Sequence, residues 1–279
     1  MLFLVPMAQP VLTTPADPFA DFKAKQRESW SKFATLELMT TPPAARLVSF
    51  AGVKSGDKVL DVGCGTGVAS ITARALGAKV TGLDLTPALL ERAHENAAIA
   101  GFGDIVWKEG DAEALPFKDG EFDVVISQYG HMFAPRADVT AREMLRVLRP
   151  GGRIAFSTWP PELALGKMFT LAGTHLPAPP GATPPAAWGR PDFVRERLGP
   201  AVKDLAFDTA TMQFPALTLA HWRTLMEQTA GPLIRIVQMF ANDPQKLAAF
   251  RAELDAAIAP YFRNNIVHQD FLMSRATKA

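Results

Sequence analysis

Between residues 58 and 159 two hydrophobic patterns take turns along the chain. Short apolar runs at 58–62, 79–84, 104–109, 122–127 and 153–159 predict strands. The first has β-branched residues and no polar alternation, as in a central parallel strand covered on both faces. Between these runs apolar residues return at helical spacing. Val68, Ile71, Thr72, Ala75 and Leu76 make a helix face that stops at Gly77, and Pro87 opens a helix over 88–100. Ala141, Met144, Leu145 and Leu148 make another face, ended by Pro150-Gly151-Gly152. Upstream, Phe22, Gln26, Trp30 and Phe33 place a helix over 21–33, and Pro42-Pro43 starts a second one over 44–50. Downstream, helices are expected at 219–228, 233–240 and 244–258, the last with Leu247, Phe250, Leu254 and Ile258 on one face. Strand alternating with helix is the order of an α/β fold with a parallel sheet.

The first strand ends in an acid and breaks into alternating glycines, Asp61-Val62-Gly63-Cys64-Gly65-Thr66-Gly67. Glycine at 63, 65 and 67 permits positive φ and lets a ligand approach the main chain closely. A dinucleotide pyrophosphate prefers G-x-G-x-x-G, and Asp61 would repel it there. An acid at that place suits a ligand carrying an ammonium group, as S-adenosylmethionine does. Taken alone, the glycines also fit a plain tight turn. The second strand ends in Asp84, placed to accept hydrogen bonds from ribose hydroxyls or, alternatively, to cap the following helix. Gly110-Asp111-Ala112 puts a further acid at the end of the third strand. Ligands of open α/β sheets lie across the carboxyl ends of the strands, so Asp61, Asp84 and Asp111 should converge on one crevice.

A chain of 279 residues, 48% hydrophobic, is long enough for one large core. Residues 1–18 are expected to form a poorly ordered leader and 19–279 a single domain, with a core at 58–159 and lid or acceptor segments at 19–50, 160–191 and 216–262. Lys and Arg number 29 against 28 Asp and Glu, a net charge of +1 that offers no basic excess for nucleic acid or an anionic membrane. No run is long enough to cross a bilayer, and the apolar start lacks the basic flank of a signal peptide. Cys64 is the single cysteine, so no intramolecular disulfide can form and a reducing cytoplasm is the expected compartment. His94, His131, His175, His221 and His268 are scattered without ligand spacing, so no metal is expected.

The succession Val59-Leu60-Asp61-Val62-Gly63-Cys64-Gly65-Thr66-Gly67, Gly82-Leu83-Asp84, Gly110-Asp111-Ala112, Phe122-Asp123-Val124-Val125 and Leu148-Arg149-Pro150-Gly151-Gly152 resembles class I S-adenosylmethionine-dependent methyltransferases. Within them it is similar to the bacterial type-11 subgroup, of small-molecule and quinone type. The resemblance covers 58–159. It implies a Rossmann-like, seven-stranded, mostly parallel sheet with the last strand antiparallel, helices on both faces and a helical lid insertion. Strand-like stretches at 203–214 and 266–275 suit its final strands. It also implies that Asp61 with Gly63, Gly65 and Gly67 holds the methionine end of S-adenosylmethionine. Asp84, with Leu85 beside it, would take the ribose, and Asp111 with the Ala112 backbone the adenine. Ser127 and Gln128 would lie near the sulfonium, and the product would be S-adenosylhomocysteine. Amino-methylating nucleic-acid enzymes of this superfamily carry Asn-Pro-Pro-aromatic after the fourth strand, where this chain has Gln128-Tyr129-Gly130-His131.

Trp30, Tyr129, Trp159 and Trp188 are the candidate substrate or lid residues, although Trp30 reads equally as a packed residue of a covering helix. His131 is the candidate base for a hydroxyl acceptor, with plain packing as the alternative. Phe169, Leu171, Trp188, Trp222, Met226, Met239 and Phe240 supply more apolar surface than solvated segments need. Because the fifth strand ends on the crevice side, 160–191 and 219–258 should close over the sulfonium end as an apolar acceptor pocket, or else pack on one another. The expected chemistry is methyl transfer by in-line displacement to the oxygen, nitrogen or carbon of a small apolar or aromatic metabolite. A non-catalytic module that binds S-adenosylmethionine, or an enzyme acting on RNA or protein, is the alternative. The sequence sets neither the acceptor nor the oligomeric state.

Overall fold

The computed structural model describes residues 17–279, so all of the expected leader except Asp17 and Pro18 lies outside the described residues. Asp17 is not loose: its carboxylate accepts hydrogen bonds from the Phe19 amide at 3.0 Å and from Lys23 Nζ at 2.6 Å. In chain order the elements are α1 (Ala20–Trp30), α2 (Glu37–Phe50), β1 (Lys58–Val62), α3 (Val68–Ala75), β2 (Lys79–Asp84), α4 (Pro87–Ile99), β3 (Val106–Glu109), β4 (Phe122–Gln128), α5 (Ala137–Val147) and β5 (Leu148–Thr158). There follow α6 (Ala164–His175), α7 (Pro191–Leu198), β6 (Val202–Pro215), α8 (Leu219–Thr229), α9 (Gly231–Met239), α10 (Pro244–Ile258), β7 (Phe262–Arg263) and β8 (Ile266–Lys278).

The sheet order is β3-β2-β1-β4-β5-β8-β6, with the two-residue β7 attached to β8 as an eighth strand. β1 to β5 pair in parallel, and β8 runs antiparallel between β5 and β6. The antiparallel last strand implied by the resemblance is therefore β8. Alternate residues of the central strands feed two cores. Leu60, Val62 and Val125 face the layer that holds α5 and α6, whereas Val59, Val124 and Ile126 pack with Ala44, Leu47, Ala69 and Ala73 of α2 and α3.

Three local expectations change. α2 begins at Glu37 and runs through Pro42 and Pro43, because its first turn is fixed from outside. Glu37 pairs with Arg92 and accepts from Asn96 on α4, and the Thr40 and Thr41 hydroxyls bond its carbonyl. Pro150-Gly151-Gly152 does not follow α5 as a loop but lies in the opening of β5. Between β5 and β6 two helices that the sequence pattern did not place, α6 and α7, flank the proline-rich stretch 177–190. Gly166 explains the position of α6: a Cβ there would sit 1.8 Å from the Pro160 carbonyl oxygen, so only glycine lets the helix press on the chain leaving β5.

Candidate active site

The turn from β1 into α3 is tied down by backbone bonds. The amides of Gly63 and Cys64 both donate to the Leu83 carbonyl, at 2.8 and 3.0 Å, and Gly67 N–H donates to Cys64 O at 2.9 Å. Gly63, Gly65 and Gly67 all have positive φ, at 68°, 54° and 82°. Gly63 also needs its missing side chain, since a Cβ would meet Gly130 Cα at 2.7 Å. A Cβ at Gly65 would meet nothing within 4 Å, so that edge of the turn faces open space.

Asp84 closes the same space from the end of β2. Its Oδ2 accepts from the Gly65 amide and its Oδ1 from the Thr86 amide, both at 2.8 Å. Burial pushes its pKa up against those bonds, which leaves a carboxylate with spare lone pairs and little water. Asp111, after β3, accepts from the Glu113 amide at 2.9 Å and from Lys23 Nζ at 2.6 Å. The same ammonium stands 2.6 Å from both Asp17 and Glu113. Burial opposes the Lys23 charge, yet the bonds to Asp111, Asp17 and Glu113 raise its pKa above the ordinary lysine value. Asp17, Asp111 and Glu113 are close enough together to hold a metal ion, but the Lys23 ammonium takes the place of a cation among them.

These groups line one side of an elongated cavity whose empty space, open water at its mouth included, is about 1410 Å³. Gly63, Gly65, Asp84, Leu85, Asp111, Ala112 and Gln128 face it, together with Trp30, Tyr129 and Trp159. The far end is apolar. Tyr129, held at a φ of 61°, stacks on Trp159 with centroids 4.0 Å apart, and Trp30 lies 4.5 Å from Phe133. Leu165, Met168 and Phe169 of α6 and Met226 of α8 complete the cap.

The family model described as a methyltransferase domain matches residues 59–152. A protein of Mycobacterium tuberculosis is 37% identical over 247 residues, 88% of this chain and 90% of its own length. The 27-O-demethylrifamycin SV methyltransferase of Amycolatopsis mediterranei is 40% identical over 124 residues, 44% of this chain and 46% of its own. The chain belongs to the class I S-adenosylmethionine-dependent methyltransferases. Its fold is shared by a solved phosphoethanolamine N-methyltransferase of Haemonchus contortus in complex with S-adenosyl-L-methionine, with a TM-score of 0.59 at 17% identity, covering 95% of this chain and 60% of that one.

The cavity fits the methyltransferase cofactor. Beside the glycine turn, Gln128 donates its amide N–H to Thr40 O at 2.7 Å and leaves Oε1 buried without a partner, a free acceptor for a ligand donor. Open space over Gly65 and the spare lone pairs of Asp84 complete a cradle for a ligand rich in hydrogen-bond donors.

Several expected residues stand elsewhere. Asp61 does not face the cavity, because it shares the Val59 side of β1 and points at α3, where its Oδ2 accepts from the Ser70 hydroxyl at 2.7 Å. Its Oδ1 is buried without a partner, and burial raises its pKa to about 7. Gly67 caps α3 behind the turn. Ser127 holds the loop after β4 together: its hydroxyl donates to Val62 O at 2.6 Å and accepts from the His131 amide at 3.0 Å. His131 is fully buried and does not line the cavity, so the expectation that it stands beside the methyl is corrected. Its ring lies 4.6 Å from Phe156 and 4.7 Å from Trp188, and both ring nitrogens lack partners. Burial lowers its pKa to about 3, so it is neutral at physiological pH. Trp188 is likewise a brace, its carbonyl accepting from Thr158. Trp222 is buried away from the main cavity and Met239 is exposed. Of the apolar residues expected to form the acceptor pocket, Phe169 and Met226 line it. Phe33, Leu36, Met39, Phe133, Met212, Phe214 and Gln269 also line it and escaped the sequence reading.

Proposed function

We propose that this methyltransferase acts on a small, largely apolar or aromatic metabolite held at the Trp159 end of the cavity. The observation that carries the reading is the continuity of one cavity from the glycine turn and Asp84 to a cap of aromatic and sulfur side chains. When bound, S-adenosylmethionine would supply an electrophilic methyl group on its sulfonium to an oxygen, nitrogen or carbon of the acceptor, with S-adenosylhomocysteine as the product. Gly63 and Gly65 bring the backbone close to the methionine end, with Gly67 capping α3 behind them. Asp84 takes the ribose hydroxyls with Leu85 beside it, Asp111 and the Ala112 backbone the adenine, and the free Gln128 Oε1 a donor of the amino-acid end. Asp61 acts from behind the turn, by holding α3 through Ser70.

The chain's contribution is positioning and exclusion of water rather than proton transfer. The titratable side chains lining the cavity are Lys23, Cys64, Asp84, Asp111 and Tyr129. Lys23 and Asp111 are paired with each other, and burial raises the Cys64 and Tyr129 pKa values well above ordinary. Residues 19–279 work as one unit, with 58–159 as the cofactor core and 19–50, 160–191 and 216–262 supplying the cap. The near balance of charge and the apolar cap favour a small neutral acceptor over RNA or protein. Among the described residues no helix is long and apolar enough to cross a membrane. The lone cysteine fits a cytoplasmic enzyme.

The test is to supply methyl-labelled S-adenosylmethionine with a host metabolite extract and identify what gains label. The expected product is a methylated neutral compound of low polarity. Label found only in RNA or protein would replace the acceptor reading. S-adenosylhomocysteine binding without turnover on any fraction would leave a binding module.

A further inference from the structure

The cap end of the cavity holds a polar group that nothing in the protein satisfies. Gln269 of β8 is 1% exposed, and neither its amide nitrogen nor its amide oxygen has a hydrogen-bond partner. It nonetheless lines the cavity. Its surroundings are apolar. Across the ladder it faces Met212, and two residues further along the same face stands Phe271, whose ring meets the Tyr129–Trp159 stack edge-on at 5.7 and 6.1 Å. A buried amide costs free energy unless its donors and acceptor are matched, and a leucine or methionine would fill the place without that cost. A group that costs stability in the free protein and faces a ligand space is explained by what the ligand brings.

We propose that Gln269 is a specificity-determining residue, which hydrogen-bonds a neutral hydroxyl, carbonyl or amide on an otherwise apolar acceptor. This rests on the reading of the cap as the acceptor pocket. The amide is both donor and acceptor but carries no charge to offset the desolvation of a buried carboxylate, so in this apolar pocket it suits a neutral polar group. The Tyr129 hydroxyl, buried and without a hydrogen-bond partner, belongs to the lining of the same cavity. Rejection of an analogue lacking that group follows, because it would leave Gln269 buried and unpaired.

The experiment uses 2-naphthol and 2-methylnaphthalene, probes of matched shape that differ in a hydroxyl, titrated by fluorescence into wild type and Gln269→Leu with and without S-adenosylhomocysteine. Wild type should prefer 2-naphthol by about tenfold, the ratio one buried hydrogen bond supports. Gln269→Leu should bring the ratio to about one or invert it, while its melting temperature in the absence of ligand stays the same or rises. A residue that merely held the fold together would lower the melting temperature and leave the ratio alone, and that result overturns the proposal. So does equal binding of both probes to wild type, or binding of neither. Calorimetry with S-adenosylhomocysteine keeps the two readings apart: its failure on wild type would count against the cofactor assignment, whereas the naphthol ratio reports on Gln269 alone.

Discussion

The two sides of the cavity are built by opposite means. On the sheet side, the contacts offered to a ligand come from backbone and short acidic side chains fixed by neighbouring amides: Gly63 and Cys64 hang on Leu83, and Asp84 is clamped by Gly65 and Thr86. On the cap side, the contacts come from large side chains of α1, α6, α8, β6 and β8 that share no local motif. The sheet side therefore has one workable geometry, while the cap can change its lining one residue at a time without disturbing the cofactor half. A common transfer chemistry with changeable acceptors asks for this division.

The largest expected effect comes from breaking the rigid side. Gly63→Ala must relieve a 2.7 Å overlap with Gly130 Cα at a positive φ. The cost should be about 3 kcal/mol or more in stability, with loss of S-adenosylhomocysteine binding. Denaturant melts and calorimetry measure both, and a variant that binds normally would show that the turn has slack. Asp84→Ala comes next. It removes charge-assisted hydrogen bonds worth about 1.5–3 kcal/mol each and frees two backbone amides, so affinity should fall roughly tenfold or more for cofactor and product alike. Unchanged affinity would remove Asp84 from the ribose site.

A third prediction concerns two buried groups behind the turn. Asp61 has its pKa raised by burial to about 7 against an unfolded value near 3.8. Its contribution is fully present below about pH 3.8 and is lost as pH rises to 7. His131 has its pKa lowered by burial to about 3 against about 6.5. Its contribution is present above about pH 6.5 and is lost as pH falls toward 3. From about pH 4 to 6.5 the two slopes oppose one another at about 1.4 kcal/mol per pH unit each. Relative to wild type, Asp61→Asn should gain stability as pH rises through this window and His131→Leu should gain as it falls. Urea melts at several pH values check the pair, and parallel profiles for both variants would show that neither group titrates as buried.

The same division explains what was legible in the sequence. The sheet side is written in contiguous words, because a strand, a glycine turn and an acid must follow one another to make a strand-end crevice. Asp84, Asp111 and the glycines were therefore readable. Asp61 was read as a ligand group because the pattern fixes its place on the chain, whereas the face of β1 it occupies follows from which neighbours are buried. His131 was a candidate base because it follows the fourth strand, with packing as the alternative, and Trp188 a lid candidate because it lies in the apolar segment after the fifth; both rings pack against Phe156. Gln269 had only a faint signal: it sits in the polar run His268-Gln269-Asp270, yet it alternates with Val267, Phe271 and Met273 on the buried face of β8. Pro42 and Pro43 misled for a similar reason, since Glu37 is held by residues on α4.

The smallest effect on cofactor binding, and the sharpest check on the independence of the two sides, is expected from Phe169→Ala. Phe169 is half-buried and packs on Phe133 at 5.3 Å and through it on Trp30. Truncation should cost about 1–2 kcal/mol of stability, because part of the ring is already solvated. S-adenosylhomocysteine affinity should stay within about twofold, since no hydrogen bond or backbone position on the sheet side depends on that ring. The acceptor identified by label transfer should show a KM raised by about tenfold, as apolar contact with the cap is removed while the reacting geometry at the turn is kept. Measuring Kd for the product and KM for the acceptor in the same variant gives the comparison directly. A parallel loss of both would mean that the cap and the cofactor wall move as one, with Lys23 on α1, bonded to Asp111, as the physical link between them.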